Sequence, residues 1–231
     1  MRELIGESLI FEAMIQVDTR WIADKLETVK SKLIAIASKT GRQGQSDKVF
    51  ANEMGKVLTD LFKEEKIVFK YQAGPNRFGI VGGYTLDDKI EIYYHEDFYV
   101  EMFEGDYWND IRDTIVGTLH HELVHRQQIA RGKIKTPGIS RAKLGFGKEL
   151  EKWEDYYGSV HEVMAYATSV YWEMIFAGLS HDSMKNIIRQ NDGQLARISD
   201  VYNEYEELFD RNHPVIKKLL RYVADLVSRG T

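Results

Sequence analysis

Apolar residues recur at helical spacing towards both ends of the chain, while β-branched and aromatic residues gather in its middle. Leu4, Ile5, Leu9, Ile10, Phe11, Met14 and Ile15 give a broad apolar stripe within residues 2–37, and a second helix is expected from Thr19 to Ala37. The polar stretch 38–47 reads as a connector, after which Ser46 or Asp47 caps a helix to about Glu65. The pattern then changes. Segments 66–72, 77–86 and 89–98 are rich in β-branched and aromatic residues. Gly74-Pro75-Asn76 and Asp87-Asp88 separate them as turns, which predicts a small, mainly antiparallel sheet of about three strands. Beyond residue 105 helical periodicity returns over 107–131, 149–177, 181–191, 194–210 and 214–229, with Gly132 and Gly178 where helix stops belong. The order of helices, sheet and helices implies an α+β fold, mostly helical. Three segments are expected: N-terminal helices over 1–45, a core over 46–178, and C-terminal helices over 179–231 packed on that core.

Composition narrows the chemistry. With 43% apolar and 29% charged residues over 231 positions, the chain reads as globular. A net charge of −5 argues against general nucleic-acid binding. There is no cysteine, so any metal must be held by His, Asp or Glu. Glu3, Glu7 and Glu12 interrupt the apolar start, so it does not read as a signal peptide. No stretch approaches the about 18 apolar residues of a membrane span. The expectation is a soluble protein of the cytoplasm or another intracellular setting, with no membrane partner.

The strongest chemical signal is "HELVH", His121 to His125, of the form H-E-x-x-H. Histidines at i and i+4 on a helix lie on one face and can share one ion. Zinc lowers the pKa of water towards about 7, and the intervening Glu122 can take its proton as general base. The motif lies in a predicted helix in which Ile111, Ile115 and Leu119 repeat every four residues. Thr114, Gly117, Thr118 and Gln128 share the face of the two histidines, and Gly117 leaves it bare one turn before His121. His120 lies about 100° round the helix and is not expected to bind the same ion.

A catalytic zinc usually has three protein ligands and an open position. The next candidates are His161 and Glu162, neighbours that cannot both face one ion. Val160, Val163, Met164, Ala167 and Met174 form the apolar stripe there, and both candidates lie off it. His95 is a further candidate.

"HELVH" followed on a later helix by "HEVMAYA" resembles the gluzincin branch of zinc metallopeptidases, over roughly residues 88–175. That resemblance implies a zincin-like fold, with His121, His125 and Glu162 as zinc ligands and Glu122 as catalytic base. Ala165 and Tyr166 resemble the E-x-x-A-Y/F pattern of small and phage-type zincins. Thermolysin-like members carry Asp where this chain has Tyr166, which leaves the support of the ligand histidines unassigned. A motif like that of the SprT-like proteases would instead select His161. "HELVHRQQ" is similar to metallopeptidases of tailed phages. Ile5-Gly6-Glu7 and Ile10-Phe11-Glu12 resemble the apolar-x-Glu sites cleaved by prohead proteases of T4-like phages, although an ordinary packing helix has the same pattern. A phage origin would make the protein virion-associated.

The oxyanion of peptide hydrolysis needs a donor near the metal, for which Tyr166 and Tyr157 are candidates, with His161 if it is no ligand. "IEIYY", residues 90–94, is the candidate edge strand for an extended peptide or protein substrate. The basic stretch 130–149 reads either as a lid over the cleft or as a solvated loop. "GIVGG", residues 79–83, lacks G-K-[ST] and reads as strand with turns. The leading expectation is a zinc metallopeptidase. The alternative is a non-enzymatic zincin-fold binding or structural module, whose partner surface would use Leu179, Ile187, Ile188, Leu195, Ile198, Val201, Leu208 and Phe209. A third reading is a zinc hydrolase acting on a non-peptide amide.

Overall fold

The computed structural model describes residues 20–42, 47–71, 80–84, 88–94, 108–130, 150–190 and 193–229. They form α1 (Arg20–Arg42), α2 (Asp47–Leu61), β1 (Ile67–Tyr71), β2 (Ile80–Tyr84), β3 (Ile90–Tyr94), α3 (Trp108–Ala130), α4 (Leu150–Gly158), α5 (Val160–Phe176), α6 (His181–Gln190), α7 (Gln194–Ile198), α8 (Asp200–Leu208) and α9 (Pro214–Arg229). The N-terminal stripe with its apolar-x-Glu motifs, the Gly74-Pro75-Asn76 turn, His95, Gly132 and the basic residues 131–149 lie outside the described residues. Among the described residues no helix is long and apolar enough to cross a membrane. These residues gather into two compact units that divide after Arg126, a point within the continuous helix α3.

In the unit up to Arg126 the sheet has the order β1-β3-β2. Strands β2 and β3 pair antiparallel, from Ile80↔Tyr94 to Tyr84↔Ile90, as the short Asp87-Asp88 connection predicts. Strands β1 and β3 pair parallel, in the register Ile67↔Ile90 and Phe69↔Ile92. The sheet is therefore mixed, which corrects the expectation of a mainly antiparallel one. Ile67, Phe69, Ile90, Ile92 and Tyr94 are all buried, and the parallel register sets β1's two apolar residues beside β3's on one face. It also corrects the reading of residues 90–94 as an edge, because β3 is paired on both sides.

Helices cover that apolar face. Ile22, Leu26, Leu33 and Ala37 of α1, and Phe50, Met54 and Leu58 of α2, recur every three to four residues. They join Ile111, Ile115 and Leu119 of α3 in one core. Each such side chain contributes roughly 1.5–3 kcal/mol on full burial. The Thr59 hydroxyl accepts from the Phe69 backbone N–H at 2.9 Å and ties α2 to β1. The Tyr94 hydroxyl crosses to α2 and donates to the Ala51 carbonyl at 2.7 Å. Only a glycine lets α2 pass that ring, because a Cβ on Gly55 would stand 2.0 Å from the Tyr94 hydroxyl oxygen.

The unit after Arg126 is built round α5, in which every residue from Glu162 to Tyr171 is buried. Helix α9 packs along it, burying Ile216, Leu219, Val223 and Leu226 at helical spacing. Serines interrupt two segments that periodicity alone predicts as continuous helices, 149–177 and 194–210. The Ser159 side chain accepts from the Glu162 N–H and starts α5, and Ser199 accepts from the Tyr202 N–H and starts α8. In each case a local hydroxyl satisfies an N–H of the first turn that a continuous helix would otherwise bond. Gly178, at φ 73°, ends α5 as expected. Ile187, Leu195 and Phe209 are buried, so these members of the alternative partner surface are not available on it.

Gly55→Ala should destabilise the protein by about 1–3 kcal/mol in chemical denaturation, since overpacking against Tyr94 outweighs the better helix propensity of alanine. Glu173 of α5 accepts a hydrogen bond from the Ser199 hydroxyl. Burial, with Asp200 and Glu204 adding to it, pushes its carboxyl from 4.5 up to about 7. The folded state thus holds a proton more tightly than the unfolded chain. The stabilisation tied to that proton is complete below about 4.5 and is lost as pH rises through about 7. Glu173→Gln should therefore gain on the wild type by about 1–3 kcal/mol between pH 4 and pH 8, read from unfolding curves at the two pH values.

Candidate metal centre

Helix α3 presents the histidine pair because its other positions are already committed. Trp108, Ile111, Ile115, Val116 and Leu119 are at most 2% exposed. The Trp108 indole N–H donates to Glu27 at 2.8 Å and ties the start of α3 to α1. At the other end of this unit, Arg126 Nη1 donates to the Glu65 carbonyl at 2.9 Å and Nη2 to the Asp88 carbonyl at 3.2 Å. Both acceptors flank backbone of positive φ, at Lys66 (56°) and Asp88 (58°). Those two residues are joined by an ion pair at 2.9 Å, and the Ile90 N–H donates to the Lys66 carbonyl at 3.1 Å. One guanidinium, next in sequence to His125, thus holds α3 against the starts of β1 and β3, and so fixes the rotation of the helix about its axis.

The two imidazoles converge. His121 Nε2 and His125 Nε2 are 3.0 Å apart, and the rings stand at 81° with centroids 4.7 Å apart. Two nitrogens of one tetrahedral zinc site would stand about 3.4 Å apart, so a few tenths of an ångström of adjustment fits them to one ion. His121 and Glu122 are buried and His125 is half-buried. One turn before His121, a Cβ on Gly117 would meet nothing within 4 Å, in keeping with the bare face expected there. His120 is buried, and burial with the neighbouring His121 pushes its pKa down to about 3. It is a neutral core residue and stands outside the ligand group.

Glu162 is the third residue from the start of α5, where Ser159 caps its backbone N–H at 3.4 Å. The sequence Ser159-Val160-His161-Glu162 has the S-x-x-E spacing of a capping box. The Ser159 N–H itself donates to the Tyr156 carbonyl at 3.2 Å, so the usual return bond of such a box has a different acceptor. A carboxylate here is favoured by the partial positive charge of the helix N-terminus. One ring nitrogen of His121, one of His125 and one carboxylate oxygen of Glu162 all lie within 4.8 Å of one another. Two imidazoles and a carboxylate are a donor set suited to zinc, with the fourth position left for water. His161 is not among the converging groups. Its backbone carbonyl accepts from the Gln128 side chain at 3.4 Å, with Gln128 three residues beyond His125 on α3.

The tyrosines expected as oxyanion donors belong to an aromatic cluster. Tyr157 and Tyr166 stack at 5.2 Å and 24°. The Tyr157 hydroxyl donates to Glu204 at 3.3 Å. Tyr205 closes the cluster edge-on to both rings, at 5.4 and 5.5 Å. Neither Tyr205 nor Arg126 stands out in the sequence. The spacing of Tyr202, Tyr205 and Phe209 marks only an apolar helix face, and Arg126 is one basic residue in a charged chain. No family model, no curated protein and no solved structure matches the chain, so a functional reading rests on the site itself.

Ligand identity is open to direct titration. Glu162→Gln should weaken zinc binding by at least about tenfold in competition with a chromophoric chelator, whereas His161→Gln should stay within about twofold of wild type. The reverse ranking would make His161 the third ligand.

Proposed function

We propose that the chain is a zinc-dependent metallopeptidase of gluzincin type, in which His121, His125 and Glu162 hold the ion and Glu122 is the general base. The single observation that carries this reading is the grouping, within 4.8 Å, of the two imidazole nitrogens of an H-E-x-x-H helix with a carboxylate oxygen from α5. When bound, zinc supplies Lewis acidity, which lowers the pKa of water towards about 7 and polarises a peptide carbonyl.

The chain's own groups supply the rest. Glu122 follows His121 on α3 and is only 5% exposed. Its carboxylate takes a proton from the attacking water as the new carbon–oxygen bond forms. It returns that proton to the amine nitrogen as the carbon–nitrogen bond breaks. A base confined to a buried site loses little proton-transfer efficiency to bulk water. His121 and His125 are held at fixed rotation by Arg126 and the α3 core, and Glu162 by the first turn of α5. Both imidazoles must be neutral to bind metal, so occupancy should fall in acid.

The mechanism predicts a separation of binding from turnover. Glu122→Gln should retain zinc at wild-type stoichiometry by elemental analysis, yet hydrolyse peptide libraries about 100- to 10,000-fold more slowly. Undiminished hydrolysis in that variant would end the mechanism. Stoichiometric zinc with no turnover by the wild type on any peptide would instead favour a binding module.

A further inference from the structure

Tyr205 is 0% exposed and comes from α8, far along the chain from the metal helix. Its hydroxyl donates to the Tyr157 carbonyl at 3.0 Å. Tyr157 lies in the last turn of α4, two residues before Ser159. The backbone from Tyr157 to Ser159 is thus held from outside by one hydrogen bond. Ser159 then accepts from the Glu162 N–H, and its carbonyl accepts from the Val163 N–H at 3.0 Å. The Tyr205 ring also packs edge-on against Tyr166, which is one helical turn beyond Glu162 and on the same side of α5. Backbone before Glu162 and side chain after it are therefore gripped by the same residue. Burial, then the charge of Glu162, then Tyr157, Tyr156 and Glu204, hold the Tyr205 hydroxyl well above its ordinary pKa.

We propose that Tyr205 is a positioning residue for Glu162: through the Tyr157 carbonyl and the Tyr166 ring it sets the first turn of α5, and so where the third ligand's carboxylate stands. The inference rests on the metal reading above and adds a residue to it. A ligand on the first turn of a helix moves with that turn, and helix ends fray unless tied. The serine cap alone is a long bond at 3.4 Å. The buried tyrosine supplies a second tie of better length. Groups that orient a metal ligand commonly affect affinity about as strongly as a weak ligand does.

The test uses the full chain and measures zinc affinity by chelator competition, the visible absorption of the cobalt(II) form, and melting of the metal-free protein. Tyr205→Phe keeps the ring and removes the donor. It should bind zinc about tenfold more weakly and alter the cobalt spectrum, while the metal-free melt falls by only about 2–6 °C, the cost of one buried hydrogen bond. In a Glu162→Gln background the same substitution should make no further difference, because the ligand it positions is gone. Ser159→Ala loosens the same turn from its other side and should act in the same direction, so it carries the test should Tyr205→Phe not fold. Tyr202→Phe, on the same helix, should bind zinc like wild type. Wild-type affinity in both Tyr205→Phe and Ser159→Ala would overturn the proposal. So would a Tyr205→Phe loss that persists in full without Glu162. A wild-type protein that binds no zinc would instead remove the metal reading itself, and the proposal with it.

Discussion

Placing ionisable nitrogen and oxygen donors in a mostly buried setting is the constraint that the other features serve. Burying a carboxylate and two imidazoles is costly unless their charges and dipoles are answered locally. Part of the answer lies in the chain. Glu162 occupies the first turn of a helix, where backbone N–H groups give a partial positive charge. The imidazoles have no charge to desolvate while they remain neutral. A divalent cation would supply the rest, and it would be the largest local charge. The same burial that makes these donors costly without a counter-charge would favour a cation among them.

Rigid frames carry that cost. In the unit up to Arg126, α3 is fixed along its length by apolar side chains that recur every four residues, and at its ends by Trp108 and Arg126. The arginine is notable for what it grips. Its two acceptors are carbonyls beside left-handed backbone at Lys66 and Asp88, conformations that cost a non-glycine residue about 1–3 kcal/mol. The ion pair between those residues, and the charged donor above them, tie the two turns together. The turn geometry before β1, the turn before β3 and the rotation of α3 are thereby coupled through one side chain. In the other unit the frame is aromatic. Tyr157, Tyr166 and Tyr205 bury large rings together, and edge-on and stacked contacts of this kind add about 0.5–1.5 kcal/mol beyond area alone.

What the sequence reveals follows the range of the interaction. The two histidines and their intervening glutamate are legible because one helical turn relates them, and helical spacing is local. The apolar stripes of α1, α2, α3 and α9 are legible for the same reason. The choice between His161 and Glu162 is not legible from periodicity, since both lie off the apolar stripe. In the fold it is Glu162, in the first turn of α5, that groups with the histidine pair. Ser159 marks the start of α5 as a cap, but the apolar rhythm continues across it and masks the break, as it does at Ser199. Strand order is a longer-range matter again. Three similar strands with turn-like connections suit a meander. The buried faces of β1 and β3 match side by side, but such a match fits either strand direction, and no short segment encodes the parallel one. Arg126 and Tyr205 are hidden for a related reason: their partners are backbone carbonyls 61 and 48 residues away, and a carbonyl leaves no mark in a sequence.

The two serine breaks use the same chemistry to different ends. Ser159 uses its oxygen once, as an acceptor for the Glu162 N–H, and so orients a candidate ligand. Ser199 uses its hydroxyl twice, accepting from the Tyr202 N–H at 2.9 Å while donating to Glu173. That second bond locks the start of α8 to the body of α5. Since Tyr205 lies less than two turns into α8, the angle at which α8 leaves Ser199 determines whether its hydroxyl reaches the Tyr157 carbonyl. A continuous helix over 194–210 would carry the ring off along a different axis. The break that periodicity fails to predict is therefore what brings α8 back across the start of α5, and with it the tie on the turn that carries Glu162.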